Sequence, residues 1–214
     1  MGNRAVITTE RKDLGVYLHW NGGRDSVEAF LKYCELKGYA SPERDTYGWA
    51  RLCQVIGNYF GGTNSVGISR YEESDRDNFD NGVYIIGNWK IIGREFNRGS
   101  EQREYDLNDM LKDIDSCQPQ KEQLGDFLDS EEVAVSELKI GDTVYMDTYR
   151  GYEKHQVVGF GEDRIVNGTN VKGLPYVDLY LNKDHRTGED TYTSNPNNYI
   201  RTETIRKVGV GYAK

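Results

Sequence analysis

The sequence predicts an α+β fold in two parts. Residues 1–115 read as a mixed helix-and-strand domain, and residues 133–214 as a small β domain. Three observations carry this reading. Three stretches in the first part place apolar residues at helical spacing. Short aromatic and β-branched runs, separated by glycine, fill much of the rest; the chain has 24 Gly and only 4 Pro, and its dominant aromatic is Tyr, 16 against 6 Phe and 3 Trp. Such runs favour strands and tight turns. The net charge of −8 is also confined to one stretch: residues 101–135 hold 3 basic and 11 acidic side chains, while the segments before and after it are each balanced. That marks 116–132 as an acidic connector between two apolar-patterned regions.

The first domain reads β-β-α-α-β-β. Arg4–Thr9 and Gly15–Trp20 are strand-like, with Glu10–Asp13 as the polar turn. Asn21-Gly22-Gly23 ends the second strand. A capping box, Asp25 with Glu28, opens a helix whose stripe is Val27, Phe30, Leu31 and Cys34. Gly38 closes it. Ser41-Pro42-Glu43 starts a second helix, with Trp49, Leu52, Cys53, Ile56 and Phe60 on its apolar face. Ser65–Ser69 is a short strand. Val83–Ile86 and Trp89–Phe96 form a hairpin across Gly87-Asn88, read as a type II′ turn. Asp106 caps a last helix carrying Leu107, Met110, Leu111 and Ile114, and Ser116–Asp129 is polar.

In the second domain, the segment from Val135 to Tyr145 brings an apolar turn to Gly141-Asp142, from which a strand departs. Lys154–Gly161, Arg164–Val166, Pro175–Leu181 and Asn198–Arg201 follow as strands. Thr202–Ile205 reads as one helical turn before a last strand, Arg206–Val210. This order resembles small five-stranded barrels of the Src-homology and KOW type. That analogy concerns fold and carries no function.

Composition bounds the function. Three cysteines, Cys34, Cys53 and Cys117, show no CxxC or Cys/His spacing. That pattern implies neither a disulfide framework nor a structural zinc site. No apolar run has membrane-spanning length, so no membrane partner is expected and the cytoplasm is the default location. The charge balance excludes a uniformly basic nucleic-acid surface but leaves room for a local patch. The acidic run Glu72–Asp80 lacks EF-hand spacing, and no motif implies a metal or any other cofactor.

Two constellations remain. In Leu18-His19-Trp20-Asn21-Gly22-Gly23-Arg24-Asp25 a strand ends, two glycines turn the backbone and a helix begins. Helix-start N–H groups with a guanidinium suit an anion, so His19, Asn21 and Arg24 are candidate binding residues. The alternative is an ordinary strand-to-helix turn. The second constellation is Tyr149, Arg150, Tyr152 and Lys154 beside His155. Rings interleaved with cations are what single-stranded nucleic acid stacks on. His155, and His19 with it, are candidate acid–base groups for RNA cleavage. The plainer alternative is a half-exposed strand with polar residues facing outward.

With these residues in view, Met1–Thr8, Tyr17–Asp25, Gly48–Asn58 and Tyr84–Ile91 resemble a family of small proteins on phages and conjugative elements of Gram-positive bacteria. The resemblance covers roughly the first 115 residues and supplies no catalytic residues. It implies, by association, an anti-defence role in a bacterial host cell. Some anti-CRISPR proteins of such elements act on a Cas nuclease or its guide RNA, and either one is the implied partner. A ribonuclease that truncates the guide RNA and a non-catalytic interaction module are the alternatives.

Overall fold

The fold is described from a computed structural model, which covers residues 2–62, 64–96, 101–148, 151–178 and 199–209, with the backbone of 182–183 and 190–191. The chain is mixed α and β and divides into two units, the first taking the chain to Leu128 together with Gly151, the second Asp129–Thr148 and the chain from Tyr152 on.

The first unit centres on β1 (Ala5–Thr9), whose five residues are all buried. Full burial on both faces explains why its sequence, Ala-Val-Ile-Thr-Thr, shows no apolar/polar alternation. β2 (Leu14–Leu18) pairs antiparallel with β1, and β3 (Val66–Arg70) antiparallel with β2. On the other side β4 (Val83–Gly87) runs parallel to β1, and β5 (Lys90–Glu95) antiparallel to β4. The sheet order is β3-β2-β1-β4-β5. α1 (Arg24–Leu36) packs on α2 (Thr46–Tyr59), α3 (Leu107–Ser116) and β5. Val27, Phe30 and Cys34 are fully buried, as the stripe requires, but Ala29, Tyr33 and Leu36 are buried too. A helix enclosed by three neighbours buries more than one stripe.

Three local expectations are corrected. The α1 cap is Gly23, with no side-chain bond. Asp25 instead accepts from the backbone N–H of Ser26, Glu104 and Tyr105, while Glu28 pairs with Arg24. The chain leading into α3 therefore took the carboxylate that local spacing assigned to the cap. The β4–β5 turn lies one residue later than expected. Asn88 and Trp89 both have positive φ, 49° and 59°, which is type I′ geometry. Trp89 is held there by burial and by donating its indole N–H to the Tyr39 carbonyl at 2.7 Å. The buried face of α2 consists of Gly48, Leu52, Val55 and Ile56, so the helix is rotated relative to the expected stripe and Trp49 is only half-buried.

Gly48 explains the rotation. A Cβ there would stand 2.6 Å from the Ala40 carbonyl oxygen and the Pro42 nitrogen, so the helix start lies against the 40–42 backbone. Gly57, in the same helix, has nothing within 4 Å of its Cβ position. Gly→Ala in a helix ordinarily stabilises by about 0.5–1 kcal/mol. Gly57→Ala is expected to follow that rule. Gly48→Ala is expected to destabilise by about 1–3 kcal/mol through overpacking. Urea denaturation of both variants checks the contrast, and stabilisation by both would contradict the close approach.

The segment expected to be the acidic connector, 116–132, is for the most part integrated into the first unit. Gln118 is buried; its side-chain amide donates to the Val55 and Ile114 carbonyls and accepts from Asn58. Phe127 is buried as well. Asp115, at the C-terminal end of α3, accepts from Leu124 N and Gly125 N and from the Tyr33 hydroxyl. The acidic residues in this stretch are mostly solvent-facing, but the backbone between them is bonded to the helices.

In the second unit the five-stranded sheet has the order β11-β8-β7-β14-β6. These are β6 (Glu131–Ala134), β7 (Thr143–Thr148), β8 (Gly151–Phe160), β11 (Pro175–Val177) and β14 (Thr204–Lys207). A short hairpin, β9 (Ile165–Val166) with β10 (Thr169–Asn170), and the pair β12 (Asn182–Lys183) with β13 (Asp190–Thr191) stand apart from that sheet. The core is Val135, Leu138, Val144, Val157, Val177, Ile200 and Ile205. Gly141 takes φ 92°, and the Asp142 carboxylate accepts from Lys139 N and Lys207 Nζ, so the Val135–Tyr145 motif folds as a turn and departing strand. The expected helical turn at Thr202–Ile205 is replaced by β14, which starts at Thr204. Its N–H and C=O groups are taken by β6 and β7 on either side, and tertiary pairing overrides the local reading. Among the described residues, β11 and β6 remain the sheet's edges and no pairing closes it into a barrel; a single bridge joins Tyr176 of β11 to Tyr199.

Candidate functional site

The strand-to-helix turn of the first unit is internally satisfied. Arg24 Nε and Nη1 lie 2.8 Å from Glu28 and 2.7 Å from Glu101, so the guanidinium is neutralised by two carboxylates. Arg24 N donates to the Gln102 carbonyl, and Gly22 N donates to Asn3. The Asp25 carboxylate, itself buried, already occupies the anionic position at the helix start. Gly22 and Gly23 serve close packing: a Cβ on Gly22 would sit 2.6 Å from Ala5 N, and one on Gly23 2.8 Å from the Gln102 oxygen. Asn21 is half-buried with φ 52°. What faces solvent is aromatic. His19 Nδ1 lies 3.1 Å from the Tyr17 hydroxyl, and its ring meets Trp20 edge-on at 4.8 Å. Asp80 of the acidic loop binds Arg4 at 2.6 Å.

In the second unit, β8 separates residues that the sequence places side by side. Its burial alternates: Tyr152, Lys154 and Gln156 are exposed, whereas Glu153, His155 and Val157 point inward. Strand period is two, so consecutive residues take opposite faces. Tyr152 and Lys154 therefore share one face, and His155 belongs to the other. Tyr149 and Arg150 lie outside the described residues.

His155 Nδ1 is 3.3 Å from Asp178 Oδ1 and Nε2 is 3.9 Å from Glu153 Oε2, with the side chain 12% exposed. Asp178 Oδ1 also accepts from Gln156 N at 2.8 Å, which fixes the carboxylate in front of the imidazole. His155 Nε2 is buried and makes no hydrogen bond. Asp178 was missed in the sequence because the two residues meet only through β8–β11 pairing. The sequence carried no signal for it.

The outward face of β8 leads to a cleft of about 300 Å³. Tyr152, Met146, Asp147 and Arg201 line it, with Thr202 and Thr204 beside them. Tyr152 is 38% exposed. The cleft offers a ring, a guanidinium, a carboxylate and hydroxyls over an apolar floor. Of the residues expected to bind, it contains Tyr152; Arg201, Asp147 and Met146 are added by β7 and by the segment leading into β14.

Two of the three thiols of the first unit, Cys34 and Cys53, are structural, whereas Cys117 is exposed. Burial pushes Cys53 up to about 11 and raises Cys34 further, so both stay protonated at neutral pH. No helix among the described residues is long and apolar enough to cross a membrane. No protein-family model, no curated protein and no solved structure matches the chain.

Proposed function

We propose that the protein is a mobile-element anti-defence protein that inhibits a CRISPR–Cas nuclease by binding the nuclease or its guide RNA. The observation that supports this reading is the cleft of the second unit, where Tyr152 and Arg201 stand together. An exposed ring stacks an unpaired base at about 1–3 kcal/mol, and a guanidinium neutralises the adjoining phosphate. Lys154, on the same strand face as Tyr152, extends the cationic contact. The unit around the cleft is read as a small barrel of the Src-homology and KOW type. The Tyr176–Tyr199 bridge supports that, because the segment from Tyr199 continues directly into β14.

A second reading, a ribonuclease that truncates the guide RNA, is favoured by His155, whose imidazole is oriented by the Asp178 carboxylate in the manner of a general base. Incubating the protein with guide RNA, with and without the nuclease, separates the two. Intact RNA with lost DNA cleavage is the expected result; RNA fragments that vanish in His155→Ala would establish the second reading. Tyr152→Ala is expected to weaken inhibition about 5- to 150-fold, the equivalent of one lost stacking contact, with an unchanged melting temperature. Unchanged inhibition in that variant would remove the cleft from the contact surface.

A further inference from the structure

The outer strand of the first unit's sheet carries a row of backbone groups with no pairing partner among the described residues. The register of β3 on β2 matches Tyr17 with Gly67 and Val16 with Ile68. His19 N donates to the Ser65 carbonyl, and Tyr71 N to the Asp13 carbonyl. Both bonds obey the same register, so the hydrogen-bonded pairs across β2–β3 are His19/Ser65, Tyr17/Gly67, Gly15/Ser69 and Asp13/Tyr71. In an antiparallel ladder the intervening residues turn their N–H and C=O the opposite way. Val66, Ile68 and Arg70 therefore direct these groups away from the sheet, at its edge.

The usual defences of an edge strand are absent here. β3 has no proline, no lysine and no bulge, and its one charged residue is Arg70 at the end. Ile68, at its midpoint, is 60% exposed. A Cβ built on Gly67 meets only the Tyr17 side chain within 4 Å, so that face of the strand is open.

We propose that β3 is the dimerisation edge of this protein, and that its occupant is β3 of a second copy. The argument is self-complementarity. Antiparallel pairing about a two-fold axis at Ile68 sets Ile68 against Ile68 of the other copy, and Val66 against Arg70. Every residue in that register is one whose N–H and C=O point outward, so all three pairs form hydrogen bonds in both directions. No foreign sequence is needed to satisfy them. The exposed Ile68 side chain meets its own symmetry mate on one face of the joined sheet, as an isologous interface requires. The two Arg70 side chains fall at opposite ends of the pairing, so no like charges oppose each other. Shifting the register by one residue would set outward-facing groups against inward-facing ones, and shifting it by two leaves only two outward pairs within β3, so the two-fold at Ile68 gives the most hydrogen bonds.

Residue-resolved hydrogen exchange, combined with sedimentation, tests this on the full chain. Sedimentation is expected to shift from the 24.5 kDa chain mass toward twice that mass as protein concentration rises to about 100 µM. The Val66, Ile68 and Arg70 amides are expected to slow as concentration rises. Gly67 and Ser69, bonded to β2, are expected to stay protected throughout. Ile68→Lys opposes two ammonium groups at the axis, and Ile68→Pro removes an outward N–H without touching the β2 ladder. Both are expected to yield monomers with unchanged circular dichroism. If either misfolds, Ile68→Cys in a Cys117→Ser background gives a second readout. Its symmetry mate stands at about 5.5 Å Cα–Cα, within disulfide range, so oxidation is expected to give a covalent dimer. A monomer at every concentration overturns the proposal. So does a dimer that persists in the folded Ile68 variants. Concentration-independent protection of the three amides, or protection only on adding an extended foreign peptide, overturns the second copy as occupant.

Discussion

Asp115→Ala is expected to lower the stability of the first unit by about 3–5 kcal/mol, because it leaves buried donors without their acceptor at about 1–3 kcal/mol each. Asp115 is 7% exposed and takes three donors at once. The Tyr33 hydroxyl donates to Oδ1 at 2.7 Å, Leu124 N to the same oxygen at 2.6 Å, and Gly125 N to Oδ2 at 3.0 Å. Tyr33 is fully buried on α1, and burial, with Asp115 beside it, pushes its phenol well above the ordinary range. It therefore remains a donor at every accessible pH. Truncation leaves that hydroxyl with only a 3.2 Å bond to the Glu122 carbonyl and strands two backbone N–H groups. The melting temperature should fall by about 10 °C or more. Limited proteolysis should also open at residues 118–127, which the carboxylate ties to α1 and α3. Asp115→Asn supplies one acceptor oxygen where two are used, so it should fall between wild type and alanine. A melting temperature within about 2 °C of wild type for Asp115→Ala would contradict the clasp, because that corresponds to less than one ordinary hydrogen bond.

Ile56→Ala is expected to destabilise by about 2–5 kcal/mol, as deletion of a fully buried branched side chain does. Ile56 is 0% exposed, on the α2 face that also holds Leu52 and Val55. Trp49 supplies the control. It shares the helix and is larger, but it is half-buried. Trp49→Ala should therefore cost less than its size suggests, and less than Ile56→Ala. Chemical denaturation of the two variants, analysed with a common m-value, measures the difference. Equal losses would place Trp49 back in the core and contradict the rotated face.

Both predictions turn on residues whose roles differ in legibility. Ile56 was readable, because an apolar residue at helical spacing between others of its kind reports a buried face. Trp49 was misread for a local reason. Helical spacing alone could not know that Gly48 would be pressed against the 40–42 backbone, which turns the helix by one residue. Asp115 gave no signal. It sits in an acidic stretch whose composition describes a solvated face, and only the return of residues 124–125 onto α3 makes it a buried acceptor.

The candidate sites divide the same way. Tyr152 and Lys154 on one outward face follow from strand periodicity. The same periodicity, applied one residue on, sends His155 to the other face, where Asp178 arrives from β11. Arg24 was legible as a cation at a helix start. Its two carboxylate partners include Glu101, 77 positions away along the chain, which no local pattern could supply.

What the sequence determined by itself is what short-range physics governs. It set the α+β class, the existence of α1, α2 and α3, the strands of the first sheet and the Gly141-Asp142 turn, although α2 starts at Thr46 behind an Asp45 cap and not at Ser41-Pro42-Glu43. Each depends on propensity, periodicity or a backbone angle within a few residues. The tertiary structure alone decided the parallel pairing of β1 with β4, the conversion of Thr204–Lys207 to a strand, the capture of Asp25 by residues 104–105 and the integration of 116–128 into the first unit. In each of these a buried N–H, C=O or carboxylate found its partner far along the chain. An unpaired polar group in the interior costs more than any local preference yields, so the distant partner prevailed.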